Sequence, residues 1–255
     1  MDYGTCSLTR AERETDARHL FEEGAWLYAF CREHLFRDHT DEIAAALFPD
    51  GLIGEDVSAL EVGCGPGFYA RRLARRFPAL RTIGIDRSSR LITQARRLAS
   101  SDALTNCHFR EGDVASLSGC MEPVDAIISS RLLLVVSNHR PVINEMFQVL
   151  KPGGRLFLAE PTSTFKTQLP LSAMRLVTHF MRTADRKAFP QAAKVITPQE
   201  FEELIRSQPW GKVSIRRYGD YQCGVCQKSS DAATDFGKRQ RLEHGVRMAG
   251  PRSVA

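Results

Sequence analysis

The stretch that decides the fold is Val57-Ser58-Ala59-Leu60-Glu61-Val62-Gly63-Cys64-Gly65-Pro66-Gly67-Phe68-Tyr69-Ala70-Arg71-Arg72-Leu73. A short apolar run ends in an acid, breaks into three alternate glycines around a cysteine and a proline, and resumes with the texture of a helix. Glycines at alternate positions let the backbone turn tightly and come within contact distance of a ligand. The N–H groups that open the following helix favour a carboxylate or phosphate. The segment therefore predicts a strand, a ligand-binding loop and a helix, with something anionic or polar held at the loop. A dinucleotide fingerprint counted from Gly63 would need its third glycine at position 68. Phe68 stands there, so the spacing argues against a nicotinamide or flavin site.

Downstream the same alternation continues. TIGID (82–86) precedes LITQARRLA (91–99), CHFREGD (107–113) follows, VDAIISS (124–130) precedes PVINEMFQVL (141–150), and RLFLAEP (155–161) comes next. Short apolar runs alternating with helical stretches are the pattern of βαβ units and a parallel sheet. Asp86 closes the second run, 19 residues beyond Gly67, and Asp113 closes the third. An acid at a strand's carboxyl end is placed to accept hydrogen bonds from ribose hydroxyls. Glu61, Asp86 and Asp113 thus end successive strands beside one glycine loop, at the edge where open α/β sheets bind ligands.

Thr197, Pro198 and Glu200 read as the capping box of a helix to Ser207. Two last strands, KVSIRRY (212–218) and YQCGVCQ (221–227), meet at Gly219-Asp220, a tight hairpin that ends the sheet antiparallel. Upstream, the spacing of Leu20, Trp26, Leu27, Phe30, Cys31, Leu35 and Phe36, then of Ile43, Ala46 and Leu47, predicts two helices within 11–50.

The chain has 255 residues, 43% hydrophobic and 25% charged, with a net charge of +5, ordinary values for a globular domain. No apolar stretch approaches the roughly 20 residues that span a bilayer, and the first residues lack a secretory or transit pattern. A membrane protein is excluded on this reading and a cytoplasmic location expected. Seven cysteines, scattered and odd in number, make no disulfide framework in a chain this long. From Lys228 onward six bases oppose three acids, so the tail carries +3 of the +5. It lacks apolar periodicity and is expected to be flexible; bases interrupted by acids make a weak counter to phosphate, so no nucleic-acid partner is expected.

With Glu61-Val62-Gly63-Cys64-Gly65-Pro66-Gly67, Asp86, Asp113 and Leu150-Lys151-Pro152-Gly153-Gly154 in view, residues 55 to 228 resemble the class I S-adenosylmethionine-dependent methyltransferases, closest to small-molecule members of the ubiquinone/menaquinone type. The resemblance implies a Rossmann-like, doubly wound sheet of seven strands in the order 3-2-1-4-5-7-6, with strand 7 antiparallel. It implies S-adenosyl-L-methionine as cofactor, the loop Gly63, Cys64, Gly65 and Gly67 cradling its methionine part, Asp86 on the ribose hydroxyls, and Asp113 with Val114 at the adenine edge. Glu61, Arg87, Ser129 and Ser130 complete the expected cofactor-binding set. The organisation expected is an N-terminal helical lid over 1–54, the methyltransferase domain over 55–228 with a helical insertion at 162–196 near the substrate, and a basic tail over 229–255.

One segment departs from the pattern. Many relatives carry Ser or Asn followed by Leu-His-His after the fourth strand, whereas Ser129-Ser130-Arg131-Leu132-Leu133-Leu134-Val135-Val136 stands here. The usual histidine is absent, as are an Asn-Pro-Pro-Tyr motif and a Pro-Cys nucleophile, which turns the reading away from nucleic-acid methylation. Methyl transfer from a sulfonium needs a base only when the nucleophile arrives protonated; the candidates are His139, Tyr28 and His34. No metal site is expected, since Cys223 and Cys226 lie three apart in a strand and should point to opposite faces. Arg71, Arg72, Arg75 and Arg76 read as a solvated helix face. Leu171, Met174, Val177, Phe180 and Met181 form an apolar stripe that would suit lid packing or an apolar acceptor bearing an acidic group. A monomer and a homodimer both fit. The alternatives are a cofactor-binding sensor or partner subunit without catalysis and, more remotely, a nucleic-acid methyltransferase or an NAD-dependent dehydrogenase.

Overall fold

The computed structural model describes Glu33, residues 37–162 and residues 195–230. Residues 1–32, 34–36, 163–194 and 231–255 lie outside the described residues, and with them Tyr28, His34, the stripe at Leu171 to Met181 and most of the expected lid, insertion and basic tail. The elements are α1 (Thr40–Leu47), β1 (Ser58–Val62), α2 (Phe68–Arg76), β2 (Arg81–Asp86), α3 (Ser89–Ser101), β3 (Cys107–Glu111), β4 (Val124–Ser130), α4 (His139–Val149), β5 (Leu150–Pro161), α5 (Pro198–Ile205), β6 (Trp210–Tyr218) and β7 (Tyr221–Lys228). A single 3-10 turn, Val114–Ser116, follows β3.

The strands form one sheet in the order β3-β2-β1-β4-β5-β7-β6. The pairs from β3 to β5 are parallel, and β7 runs antiparallel to both β5 and β6. The expected strand order is met in full. Gly219, at φ +59°, opens the two-residue loop between β6 and β7, a conformation glycine adopts without steric cost.

Alternation along each strand builds two apolar layers. On one face Ala126, Ile128, Phe157 and Cys223 pack with Ile43 of α1 and Phe68, Tyr69 and Leu73 of α2. On the other, Ile127, Leu156, Leu158 and Cys226 pack with Val142, Ile143 and Met146 of α4 and Phe201 and Leu204 of α5. Cys223 and Cys226 therefore sit in opposite layers, as their spacing required, and burial pushes both thiols up to about 12.

The Phe109 ring lies at the crossing of the glycine loop with β2. A Cβ placed on Gly67 would come within 2.3 Å of it, and one on Gly84 within 2.5 Å. Glycine at both positions makes room for the ring that seals this corner.

Helix ends follow local chemistry. Thr197 Oγ1 accepts from Glu200 N at 3.2 Å while Glu200 Oε2 accepts from Thr197 N at 2.9 Å, the capping box read from the sequence. Ser88 Oγ caps α3, accepting from Leu91 N. Of the α2 arginines, Arg75 and Arg76 lie on the expected solvated face and Arg72 is half-buried, whereas Arg71 departs from it. Arg71 is 7% exposed and bridges Glu33 and Asp102, Arg72 pairs with Asp38, Arg75 with Asp102 and Arg76 with Asp41. Acids from α1's approach, from α1 and from the end of α3 surround this helix, so its charges tie neighbours together. At the sheet's far margin β6 is mostly exposed and carries Lys212, Arg216 and Arg217.

Candidate functional site at the carboxyl edge of the sheet

β1, β2, β3, β4 and β5 all end on one edge, and the residues singled out from the sequence gather there. Gly63, Gly65 and Gly67 adopt φ +67°, +53° and +74°, so the alternate glycines make three left-handed turns in five residues. The loop is fastened from both sides. Cys64 N donates to Ile85 O at 2.9 Å, and Gly65 N donates to Asp86 Oδ2 at 2.8 Å. Asp86 Oδ1 accepts from Ser88 N at 2.9 Å. One carboxylate thereby fixes the glycine loop and the start of α3, and it remains half-buried at the strand end.

Glu61 has a different place from the one its position suggests. Its side chain is buried, and it accepts from Ala70 N at 2.8 Å and Tyr69 N at 3.4 Å. The opening N–H groups of α2, which the sequence reading left for an incoming anion, are held by a carboxylate of the chain itself. The ligand would meet the loop backbone, not this helix terminus. Replacing Glu61 by alanine leaves two donors without this acceptor in a dry layer; a loss of about 2–3 kcal/mol is expected, read as a lower urea midpoint.

Cys64 turns its thiol inward beneath the loop, where burial first, then the charges of Asp86 and Glu61, push it well above the ordinary thiol range. Such a thiol is inert, so Cys64 can serve a ligand through its backbone alone. Asp113 Oδ1 accepts from Ala115 N at 2.9 Å, and its Oδ2 lies 3.7 Å from Arg87 Nε. Arg87 and Asp113 thus come together on the rim beyond β2 and β3, while Val114 is buried. At the end of β4, Ser129 is fully buried and Ser130 half-buried.

The segment that replaces the usual histidine pair contains residues that the sequence reading passed over. Arg131 stands at φ +63°, donates its N–H to Ala159 O at 2.9 Å and its Nη1 to Tyr221 Oη at 3.0 Å, and is 7% exposed. Leu132 lies directly against the glycine loop: a Cβ on Gly63 would come within 2.8 Å of its Cδ1. Leu133 N donates to Glu160 Oε1 at 3.0 Å. Glu160 is completely buried, and its carboxyl is pushed up to about 8 by desolvation, against the opposing pull of Leu133 N–H, Arg131 and Leu132 N–H. A signal for it was present, since Glu160 is a fourth acid near a strand's carboxyl end, in Ala159-Glu160-Pro161.

His139 opens α4, with Nε2 3.0 Å from Leu133 O. A carbonyl accepts only, so Nε2 carries a proton, and in the neutral ring Nδ1 is the nitrogen with the lone pair. The imidazole also borders a cavity of about 340 Å3 with Asn138, Ile196 and Glu200. A larger groove of about 640 Å3, beside Arg81, His108 and Val124, lies at the strands' amino ends, away from the glycine loop.

Comparison with known proteins agrees with this geometry. Residues 53–208 match a family model described as a methyltransferase domain. A demethylmenaquinone methyltransferase of Tropheryma whipplei is 32% identical over 187 residues, covering 72% of this chain and 71% of that protein. A trans-aconitate 2-methyltransferase of Variovorax paradoxus is 30% identical over 130 residues, 50% of this chain and 48% of the relative, so the chain spans about half the length of that protein. Among solved structures, the magnesium protoporphyrin IX methyltransferase of Synechocystis with bound SAH superposes with a TM-score of 0.61 at 17% identity, over 85% of this chain and 100% of that one. At that identity the likeness is one of fold. Among the described residues no helix is long and apolar enough to cross a membrane, and no group of three or more candidate ligands is placed to hold a metal.

Proposed function

The chain belongs to the methyltransferase domain family, and from that premise we propose that it transfers the methyl group of S-adenosyl-L-methionine to a small-molecule acceptor. The observation that carries the reading is the three left-handed glycines bonded through Gly65 N–H to the Asp86 carboxylate. A ribose diol needs acceptors, and Asp86 offers two carboxylate oxygens at the strand end, each with further lone-pair capacity beyond its backbone bond. The glycine loop brings backbone within reach of the methionine part. Asp113 and Val114 stand one strand further on for the adenine edge, with Arg87 beside them, and Ser129 and Ser130 stand at the end of β4 on the opposite side. The donor set thus fits the group.

Bound there, the cofactor supplies an electrophilic methyl carbon on a sulfonium whose departure leaves a neutral thioether. The chain's own contribution is chiefly orientation, which can be worth about 7–11 kcal/mol. The acceptor side is assigned to the ends of β4 and β5, since β2 and β3 hold the acids that suit the nucleoside. His139, with its Nδ1 lone pair, is the described candidate for taking a proton; Tyr28 and His34 belong to the same proposal. The relatives' printed names support small-molecule acceptors, and the proposal includes a cytoplasmic enzyme acting as monomer or homodimer.

Titration calorimetry with S-adenosylmethionine, S-adenosylhomocysteine and NADH tests the cofactor. Saturable binding of both sulfur ligands and none of NADH is expected; preference for NADH, or no binding at all, overturns the reading.

A further inference from the structure

Among the described residues, three polar side chains on the α4/α5 face of the sheet each bury an oxygen that finds no hydrogen-bond partner: Ser129 Oγ, Glu160 Oε2 and Gln222 Oε1. Glu160 and Gln222 are direct register partners across the antiparallel pair of β5 and β7, where side chains on one face stand about 4.5–5.5 Å apart at Cβ. Both are essentially without exposure, Glu160 at 0% and Gln222 at 2%. Each is engaged by its other atom. Glu160 Oε1 accepts from Leu133 N, and Gln222 Nε2 donates to Ile196 O at 3.0 Å.

A carboxylate and an amide oxygen cannot satisfy one another, because both only accept. A carboxylic acid and an amide oxygen can, because the acid donates. Two buried acceptors on residues set opposite one another in register each carry a desolvation cost, and one proton shared between them removes it for both. We propose that the protonated carboxyl of Glu160 is a positioning clamp, donating from Oε2 to Gln222 Oε1 while Oε1 holds Leu133 N, and that this clamp keeps the segment after β4 seated on the cofactor loop.

The clamp has two ends with consequences. Through Leu133 it holds Leu132, whose side chain rests on Gly63, and Leu133's own carbonyl, in the next peptide, receives His139 Nε2. Through Gln222 it holds Ile196, one residue ahead of the Thr197 cap of α5. Acceptor-side and cofactor-side segments thus share one hydrogen-bonded chain running Ile196, Gln222, Glu160, Leu133, His139. The inference rests on the cofactor reading above only for its functional arm.

The groups facing Glu160 are few. Arg131 after β4 favours the ionised form, and Leu132 and Leu133 N–H do the same, while burial opposes them and prevails. His139 approaches from α4 through the Leu133 carbonyl. From β7 comes Gln222, while Tyr221 and Cys223 on either side of it project into the opposite layer. Since the folded value stands near 8 against an ordinary 4.5, the folded state holds a proton that the unfolded chain releases. The clamp's stabilisation is complete below about pH 4.5 and is lost as pH rises through about 8.

The experiment compares wild type, Glu160→Gln and Glu160→Leu by thermal melting and by S-adenosylmethionine calorimetry between pH 5.5 and 9. Glutamine reproduces the clamp at every pH, since its amide N–H donates to Gln222 and its oxygen accepts from Leu133. Wild type is expected to lose about 5–10 °C more of melting temperature than E160Q over this range, and about tenfold in affinity from pH 7 to pH 9 while E160Q stays flat. E160L should bind weakly at every pH. Parallel melting profiles for wild type and E160Q overturn the clamp. Diverging melting profiles with unchanged relative affinity overturn its link to the loop. Failure of all variants, including wild type, to bind S-adenosylmethionine overturns the cofactor reading and the functional arm with it, and leaves the melting comparison to decide the clamp.

Discussion

Replacing Asp86 by alanine should weaken S-adenosylmethionine binding by about two to four orders of magnitude. Hydrogen bonds to a charged group are worth about 1.5–3 kcal/mol each, and two such bonds to a ribose diol correspond to that loss at about 1.4 kcal/mol per tenfold. The carboxylate does a second thing here, because it holds Gly65 N at 2.8 Å and Ser88 N at 2.9 Å. Alanine releases the loop as well as the ligand. Asp86→Asn separates the two roles: its one amide oxygen can retain a single backbone donor, while its NH2 group opposes the other. It should therefore bind weakly while melting nearer to wild type than Asp86→Ala. Calorimetry alongside urea denaturation reads both quantities. An Asp86→Ala protein that unfolds like wild type and binds within threefold of it would remove Asp86 from the site.

The largest expected effect on stability is that of Gly67→Ala. A Cβ at this position meets the Phe109 ring at 2.3 Å and the Ala95 Cβ at 3.3 Å, and the residue sits at φ +74°. Left-handed backbone costs an L-residue roughly 1–2 kcal/mol. The contact adds the larger part, since Phe109 is buried between β2, α2 and α3 and its ring cannot leave without opening a cavity. Overpacking of this kind costs about 1–3 kcal/mol, occasionally more. A total loss of about 2–5 kcal/mol is expected, enough to threaten folding when whole domains are stable by about 5–15 kcal/mol. Gly51→Ala provides the measure of the backbone share. Gly51 has φ +66° with nothing within 4 Å of its would-be Cβ, so it should lose only the conformational part. Equal urea midpoints for the two variants would show that Phe109 yields freely and that the packing argument is wrong.

Much of this molecule was legible because its elements are signalled locally. Strand-to-helix transitions at Gly63–Gly67, the acids Asp86 and Asp113, the capping box at Thr197 and the hairpin at Gly219 each depend on a few neighbouring residues. The strand order came from the resemblance, and the opposed cysteines of β7 from the two-residue period of a strand. What escaped the sequence was set by long-range burial. Arg71 looks like its neighbours in the helix, yet it alone among the four is buried, between Glu33 and Asp102. Glu61 seemed aimed at a ligand and instead holds Tyr69 and Ala70 across a sharp turn. Glu160 was passed over because an acid beside a proline at a strand end resembles an ordinary solvated terminus. Its meaning appears only when β7 delivers Gln222 opposite it, from 62 residues away.

The cationic margin formed by β6 bears on how copies of this protein behave toward one another. An open strand offers a template on which another chain's backbone can pair. With Lys212, Arg216 and Arg217 along it, two such margins meeting would bring like charges into register before their amides could bond. The barrier is electrostatic and reaches about 10 Å at 0.1 M salt, shrinking to about 3 Å at 1 M. Protection against fibrous, edge-to-edge growth is therefore strongest in dilute buffer, and concentrated salt, which often keeps proteins in solution, here strips away a safeguard.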